Sequence, residues 1–158
     1  FPNFSIAQNI AISRSLKDGG YKGAMGLFHE VDEQRTAEAQ RELLALKCHS
    51  VNQNITELSG GNQQKVLISK WLCCHPEVII FDEPTRGIDV GAKAEIYKVM
   101  RQLADDGKVI LMVSSELPEI ITVCDRIAVF CEGRLTQILT NRDDMSEEEI
   151  MAWALPQE

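Results

Sequence analysis

Nowhere in these 158 residues is there a G-x-x-x-x-G-K-[ST] loop of the kind that wraps a nucleotide's phosphates. The cluster Gly19-Gly20-Tyr21-Lys22-Gly23 does not fit that pattern. No apolar run approaches the roughly 20 residues of a membrane-spanning helix, and no signal peptide is recognisable. The five cysteines (Cys48, Cys73, Cys74, Cys124 and Cys131) are odd in number and never spaced C-x-x-C. That spacing argues against a zinc site or a disulfide framework and for reduced, mostly buried thiols in a cytosolic protein. His29, His49 and His75 are scattered without ligand spacing. Positive charge is also scarce: 16 basic residues against 24 acidic give a net charge of −8. Such a balance argues against a nucleic-acid-binding face, which needs clustered Lys and Arg. What remains is ordinary for one soluble globular domain with a real core, at 44% hydrophobic residues and a mean hydropathy of −0.13.

Against these absences, the stretch Thr56–Asp89 carries two devices suited to a phosphate chain. The first is Leu58-Ser59-Gly60-Gly61-Asn62-Gln63-Gln64-Lys65. Ser59 suits a helix N-cap, and the apolar positions Leu67, Ile68, Trp71 and Leu72 follow at helical spacing. Gly60 and Gly61 leave first-turn N–H groups bare of side chains, so a phosphate can approach the positive end of the helix dipole. The second is Val78-Ile79-Ile80-Phe81-Asp82-Glu83. Four apolar residues in a row predict a strand buried on both faces, as in a parallel sheet. The carboxylates at its C-terminal end lie where open α/β sheets bind ligands. Asp82 can hold Mg²⁺ there, and Glu83 can polarise an attacking water.

The rest of the chain reads in order. Ser5 is suited to cap a helix through Ile6, Ile10 and Ala11, and the glycine-rich Asp18–Gly26, with Lys22, is expected to be a mobile surface connection. A helix is predicted over Val31–Lys47, with Ala37, Leu43, Leu44 and Leu46 on its apolar side, followed by a polar connection at Val51–Thr56. After Glu83, Pro84 stops the ladder and Gly87 permits a turn. Asp89 then caps a helix carrying Ile96, Val99, Met100 and Leu103. Asp105-Asp106-Gly107 reads as a turn, and Val109–Val113 as a second wholly apolar strand. Ser114 and Ser115 are placed to cap a helix containing Pro118 and Ile121. Arg126–Cys131 and Arg134–Leu139 predict a hairpin about Glu132-Gly133. Ser146 with Glu149 predicts a capping box for a last helix, with Trp153 as its packing anchor.

The order LSGGNQQK, helix, Pro76, VIIFDEPT and Arg86-Gly87-Ile88-Asp89 resembles the ATP-binding cassette (ABC) ATPases, as signature, Walker B strand and D-loop. LSGGNQQK followed by DEPTRGIDVGAK is similar to the second cassette of the tandem ATPase subunits of bacterial sugar importers. The resemblance implies an α/β fold: a P-loop NTPase core of the RecA-like ABC type, a parallel sheet flanked by helices, with a helical subdomain. Residues 1–57 would be part of that subdomain and 58–158 half of the core. The Walker A strand and loop would lie upstream, in a longer protein of which this chain, beginning at Phe1, is expected to be a piece.

Function follows from the same resemblance, as ATP hydrolysis with Mg²⁺ coupled to import of a sugar or similar solute. The implied partners are transmembrane permease subunits, another cassette and, indirectly, a periplasmic binding protein, with the work done on the cytoplasmic face of the inner membrane. Ser59, Gly60, Gly61 and Asn62 would meet ATP held by the other cassette, and Asp89 would face that cassette from the D-loop. Asp82, Glu83 and Ser115 would serve the nucleotide of this one. The family usually has histidine at the position of Ser115, whose hydroxyl cannot carry an imidazolium's charge. That departure predicts an asymmetric pair in which Glu83→Gln costs less than Ser59→Arg or Gly61→Asp. It also leaves open a degenerate cassette that binds and interacts without hydrolysing. A non-transport ABC ATPase of DNA repair or translation is disfavoured by the missing heptads and basic surface. In isolation the chain is expected to expose apolar sheet edges, to self-associate and to lack ATPase activity.

Overall fold

A computed structural model describes residues 1–18 and 30–156. Most of the glycine-rich connection expected at Asp18–Gly26, with Lys22, lies outside the described residues. The described chain holds helices α1 (Ile6–Asp18), α2 (Glu30–Leu43), α3 (Gly60–Leu72), α4 (Val90–Asp105), α5 (Leu117–Val123) and α6 (Glu147–Ala154). Its strands are β1 (Val78–Asp82), β2 (Val109–Val113), β3 (Arg126–Cys131) and β4 (Arg134–Thr140). It divides into two compact units, one of residues 1–79 and 85–110, the other of 80–84 and 111–158.

In the first unit α1 packs against both α2 and α3, so the helical region and the helix after Ser59 share one core. Ile6, Ala7, Ile10, Ala37, Leu46, Val51, Leu58, Val66 and Cys73 form it. Ser5 and Gln8 cap α1 reciprocally: the Gln8 N–H donates to Ser5 Oγ at 3.2 Å and the Ser5 N–H to Gln8 Oε1 at 3.0 Å. The helix predicted to reach Lys47 stops at Leu43, and Ala45 takes a left-handed φ of 46°. Leu44 and Leu46 are buried from beyond the helix, whereas Leu43 is exposed. A helical reading of the Leu43–Leu46 run therefore needs correcting: the bend, not a helical face, delivers those leucines to the core.

The apolar stripe on α3 also differs from expectation. Leu67 and Trp71 face outward, and the buried residues are Gly61, Lys65, Val66, Ile68, Ser69 and Leu72. Positions 61, 65, 68 and 72 follow the helical period; a glycine and a lysine hid that stripe from a count of apolar residues. Lys70 lies over the Trp71 ring at 5.2 Å. Asp89 caps α4 as expected, accepting from the Ala92 N–H at 3.0 Å, and Ile96, Val99, Met100 and Leu103 are its buried face. Gly107, just past the helix, has a φ of 86°.

β1 and β2 are neighbours in one sheet. The Val109 N–H donates to the Glu77 carbonyl and the Glu83 N–H to the Val113 carbonyl, both at 2.9 Å, so the strands advance together and are parallel. Neither is buried on both faces: Val78, Ile80, Val109, Leu111 and Val113 are all at least half exposed. Two parallel strands cannot cover both of their own faces, and none of the described residues covers the second.

The second unit contains the β3–β4 antiparallel hairpin, with Cys131 opposite Arg134. Its two turn residues, Glu132 and Gly133, have φ values of 49° and 76°, the signs a type I′ turn requires. Ile127 and Val129 pack with Met145 and Ile150. Ser146 caps α6 by accepting from the Glu149 N–H at 3.2 Å, but the Glu149 carboxylate turns to Arg142 at 3.0 Å instead of closing the box. Ile150, 3% exposed, anchors the helix in place of Trp153, which is 38% exposed.

Candidate functional site

The site residues fall into two groups, one in each unit, and each group is internally connected. In the first, Ser59 occupies the N-cap of α3 with extended backbone, but its side chain makes no cap bond. Its Oγ instead accepts from Asn62 Nδ2 at 2.9 Å. Asn62 Oδ1 accepts from the Lys47 N–H at 2.9 Å. Both ends of the Asn62 amide are thus used within the protein, and the Ser59 hydroxyl is oriented with its own proton left to donate elsewhere.

The two glycines beside it are not equivalent. Gly60 is exposed, with nothing within 4 Å of where a Cβ would stand. Gly61 is buried, and a Cβ there would lie 2.5 Å from Ala92 Cβ. Gly60 leaves the helix start open to a ligand; Gly61 lets α3 and α4 touch. Gly60 also borders a cavity of about 330 Å³ whose lining includes Gln63, Lys70, Arg86 and Gly87. Two cations and a bare helix start give this concavity an anion's preference. Asp89, capping α4, stands three residues before the Ala92 that meets Gly61.

Nothing in the sequence reading pointed to Lys65 and Glu95. Lys65 is buried, yet its Nζ donates to Glu95 Oε2 at 2.9 Å and to the Ala45 carbonyl at 3.2 Å. Lys47 Nζ donates to Glu95 Oε1 at 2.9 Å. The hydrogen bonds from Lys47 and then Lys65 lower the Glu95 carboxyl to about 2 from an ordinary value of 4.5. Because the folded state holds Glu95 ionised more strongly than the unfolded chain does, the stabilisation is complete above about pH 4.5 and fades as pH falls towards 2. Acid unfolding followed by circular dichroism should therefore lose part of its slope between about pH 4.5 and 2 in Glu95→Gln. The signal that could have revealed this pair is a lysine four residues after Gly61, on the stripe that must be buried.

The second group surrounds Glu83. Asp82 is exposed at the C-terminal end of β1, a position suited to an ion that takes one or two carboxylates and completes its shell with phosphate oxygens and water. Among the described residues no three His, Cys, Asp or Glu side chains cluster as a metal site. Glu83 has a φ of 47°, a left-handed backbone that costs a non-glycine residue about 1 kcal/mol or more. Its Oε1 accepts from the Ser115 N–H at 2.8 Å. Ser115 therefore meets Glu83 through its backbone. Neither serine is the N-cap of α5, which is Glu116. Ser114 Oγ accepts from the Glu116 N–H and donates to the buried Glu119 carboxylate, both at 3.0 Å.

The five cysteines are free, and burial pushes the Cys73 thiol up to about 11 and raises Cys48 and Cys124. Those three are protonated at neutral pH and poor nucleophiles. No helix among the described residues is long and apolar enough to cross a membrane.

The sequence pattern of the family described as "ABC transporter" matches residues 1–86, more than half of the chain. The whole chain is 98% identical to the D-allose import ATP-binding protein AlsA of Escherichia coli (strain K12), covering 31% of that protein. Over 96% of its length it is 47% identical to the ribose import ATP-binding protein RbsA of Bacillus cereus (strain ZK / E33L), covering 30% of it. The chain thus spans about a third of the length of the curated relatives it matches. Among solved structures, a dimeric post-hydrolysis ATP-binding cassette bound to ADP and Pi superposes with a TM-score of 0.70 at 24% identity. That match covers 90% of this chain and 59% of the other, and it shows the fold: an α/β ABC-type P-loop NTPase core. Family pattern, fold and motif order agree, and the chain belongs to the ABC transporter family.

Proposed function

We propose that this chain is part of an ATP-hydrolysing subunit that drives import of D-allose or a closely similar sugar. The observation that carries it is the 98% identity, over the whole chain, to a D-allose import ATP-binding protein. The geometry supports it. An open helix start at Gly60, beside an oriented Ser59 hydroxyl, suits the terminal phosphate of an ATP presented by a second cassette. Asn62 contributes by holding Ser59, and Asp89 by placing the start of α4 at Gly61. Helices α1 and α2, within residues 1–57, serve as the face towards permease subunits, and a periplasmic binding protein delivers the sugar to those. The complex sits on the cytoplasmic face of the inner membrane.

Asp82 is the residue to hold Mg²⁺, which would offset phosphate charge at that end of β1. Glu83 is the general base, its carboxylate steadied by the Ser115 N–H. Because that contact is made by backbone, a serine at 115 does not remove it, which weighs against a cassette that only binds. Glu83→Gln in the full-length subunit should slow hydrolysis on the order of 10²- to 10⁴-fold. Ser115→Ala, which keeps the amide, should stay within a few-fold. ATPase assays of the reconstituted importer decide it. A Ser115→Ala enzyme as slow as Glu83→Gln would assign the role to the hydroxyl, and full activity in Ser59→Arg would remove the function itself.

A further inference from the structure

Lys65 is an unusual residue to find at the contact of two helices. Its side chain is 4% exposed, while that of its partner Glu95 is 37% exposed. Glu95 lies three residues after Ala92 on α4, and Lys65 four residues after Gly61 on α3. The two helices are therefore tied at successive turns, first by the Gly61–Ala92 approach and then by the Lys65–Glu95 ion pair. A third element joins them. Lys47 donates its Nζ to Glu95 and its main-chain N–H to Asn62, and Lys65 donates to the Ala45 carbonyl two residues earlier. The polar path is closed: Ser59 to Asn62, Asn62 to Lys47, Lys47 to Glu95, Glu95 to Lys65, and back along α3 to Ser59.

We propose that Lys65 and Glu95, with Lys47, are positioning residues that lock the Ser59–Gly60 helix start to the Asp89 end of α4, so that both move onto a nucleotide as one body. Both ends sit on the same clamp, so neither can shift without stretching the ion pair or opening the glycine contact. An ion pair with one buried partner adds little stability compared with apolar packing, but its short, directed bonds fix where the two helices meet. Its loss should be felt in the closing of the site as well as in folding, since a buried Lys65 left without its partner is strongly destabilising. The inference rests on the proposed function, since it supposes that Ser59 and Gly60 meet a phosphate.

The test uses the full-length subunit with its permease and two readouts. One is steady-state ATPase activity. The other is the ATP concentration that gives half-maximal hydrogen-exchange protection of residues 58–65, measured in a Glu83→Gln background where hydrolysis is arrested. Lys65→Met and Glu95→Gln should each lower kcat, and raise that ATP concentration, by about 10- to 100-fold, the scale of a misplacement of up to about 1 Å. Lys65→Arg, which keeps the charge, should recover most of both. Glu95→Gln, which keeps a side-chain oxygen to accept from Lys65 Nζ, carries the test if Lys65→Met does not fold. Unchanged closure and kcat in a folded Glu95→Gln enzyme would overturn the positioning role, and so would an Lys65→Arg enzyme no better than Lys65→Met. If Ser59→Arg abolishes hydrolysis while those variants are silent, only this inference falls; if Ser59→Arg is active, the proposed function falls with it.

Discussion

Gly61→Ala is expected to lower the thermal midpoint of the domain that carries it by roughly 2–12 °C, while Gly60→Ala leaves it unchanged or slightly higher. The size follows from overpacking, which costs about 1–3 kcal/mol, at about 2–4 °C per kcal/mol for a domain of this length. At Gly61 the added methyl would stand 2.5 Å from Ala92 Cβ, against a helix rather than a flexible tip. At Gly60 it would meet nothing, and alanine in a first helical turn is if anything favourable. Activity should divide the other way. Gly60→Ala should weaken nucleotide capture with the fold intact, whereas loss of activity in Gly61→Ala should track its unfolding. Gly61→Asp should fail for the same packing reason, with a carboxylate forced into the helix contact. Differential scanning calorimetry beside ATP binding on the two alanine variants separates these causes. Equal stability of the two would show that α3 and α4 part more readily than their contact suggests.

The second large effect concerns the bare face of the parallel strands. Ile80 is 68% exposed beside exposed Val78, and Leu111 is 51% exposed between exposed Val109 and Val113. Burying a side chain of this size is worth about 1.5–3 kcal/mol, so the 158-residue chain on its own should self-associate and bind hydrophobic dyes through this face. Ile80→Lys with Leu111→Lys should shift it towards monomer in sedimentation velocity and reduce dye binding. In the full-length protein, where the parallel sheet is expected to be covered on both faces, the same pair should prevent folding. An unpaired buried charge costs several kcal/mol against a total stability of about 5–15. Full-length protein that folded normally with both lysines would mean that the face stays open to solvent.

How much of this was legible in the sequence depended on whether a residue's type matched its surroundings. The Asp82-Glu83 strand end, the Asp89 cap, the α4 face from Ile96 to Leu103 and the Glu132-Gly133 turn were readable because side-chain chemistry and local geometry agree there. Strand burial was misread because four apolar residues state what a strand needs, not what the chain supplies to cover it. On α3, Leu67 and Trp71 drew attention to the wrong side, since the packed stripe is set by glycine at 61 and lysine at 65. Tertiary contact decides such positions, and hydropathy cannot rank a lysine whose charge is met by Glu95. Ser115 is a third case, in which the sequence directs attention to a side chain and the structure adds a backbone contact. Its side chain raised a question about catalysis, but the contact it makes with Glu83 comes from an N–H that every residue except proline possesses.

The loss of nucleotide capture expected of Gly60→Ala, and the clamp between α3 and α4, depend on what the start of α3 is for. The direct measurement is a structure of the full-length subunit with its permease, trapped with ATP by Glu83→Gln. Ser59 Oγ and the N–H groups of the first α3 turn should lie about 2.7–3.2 Å from oxygens of a terminal phosphate held by the opposing cassette. Closed cassettes with ATP present and Gly60 facing solvent or protein, with no phosphate in reach, would contradict the account.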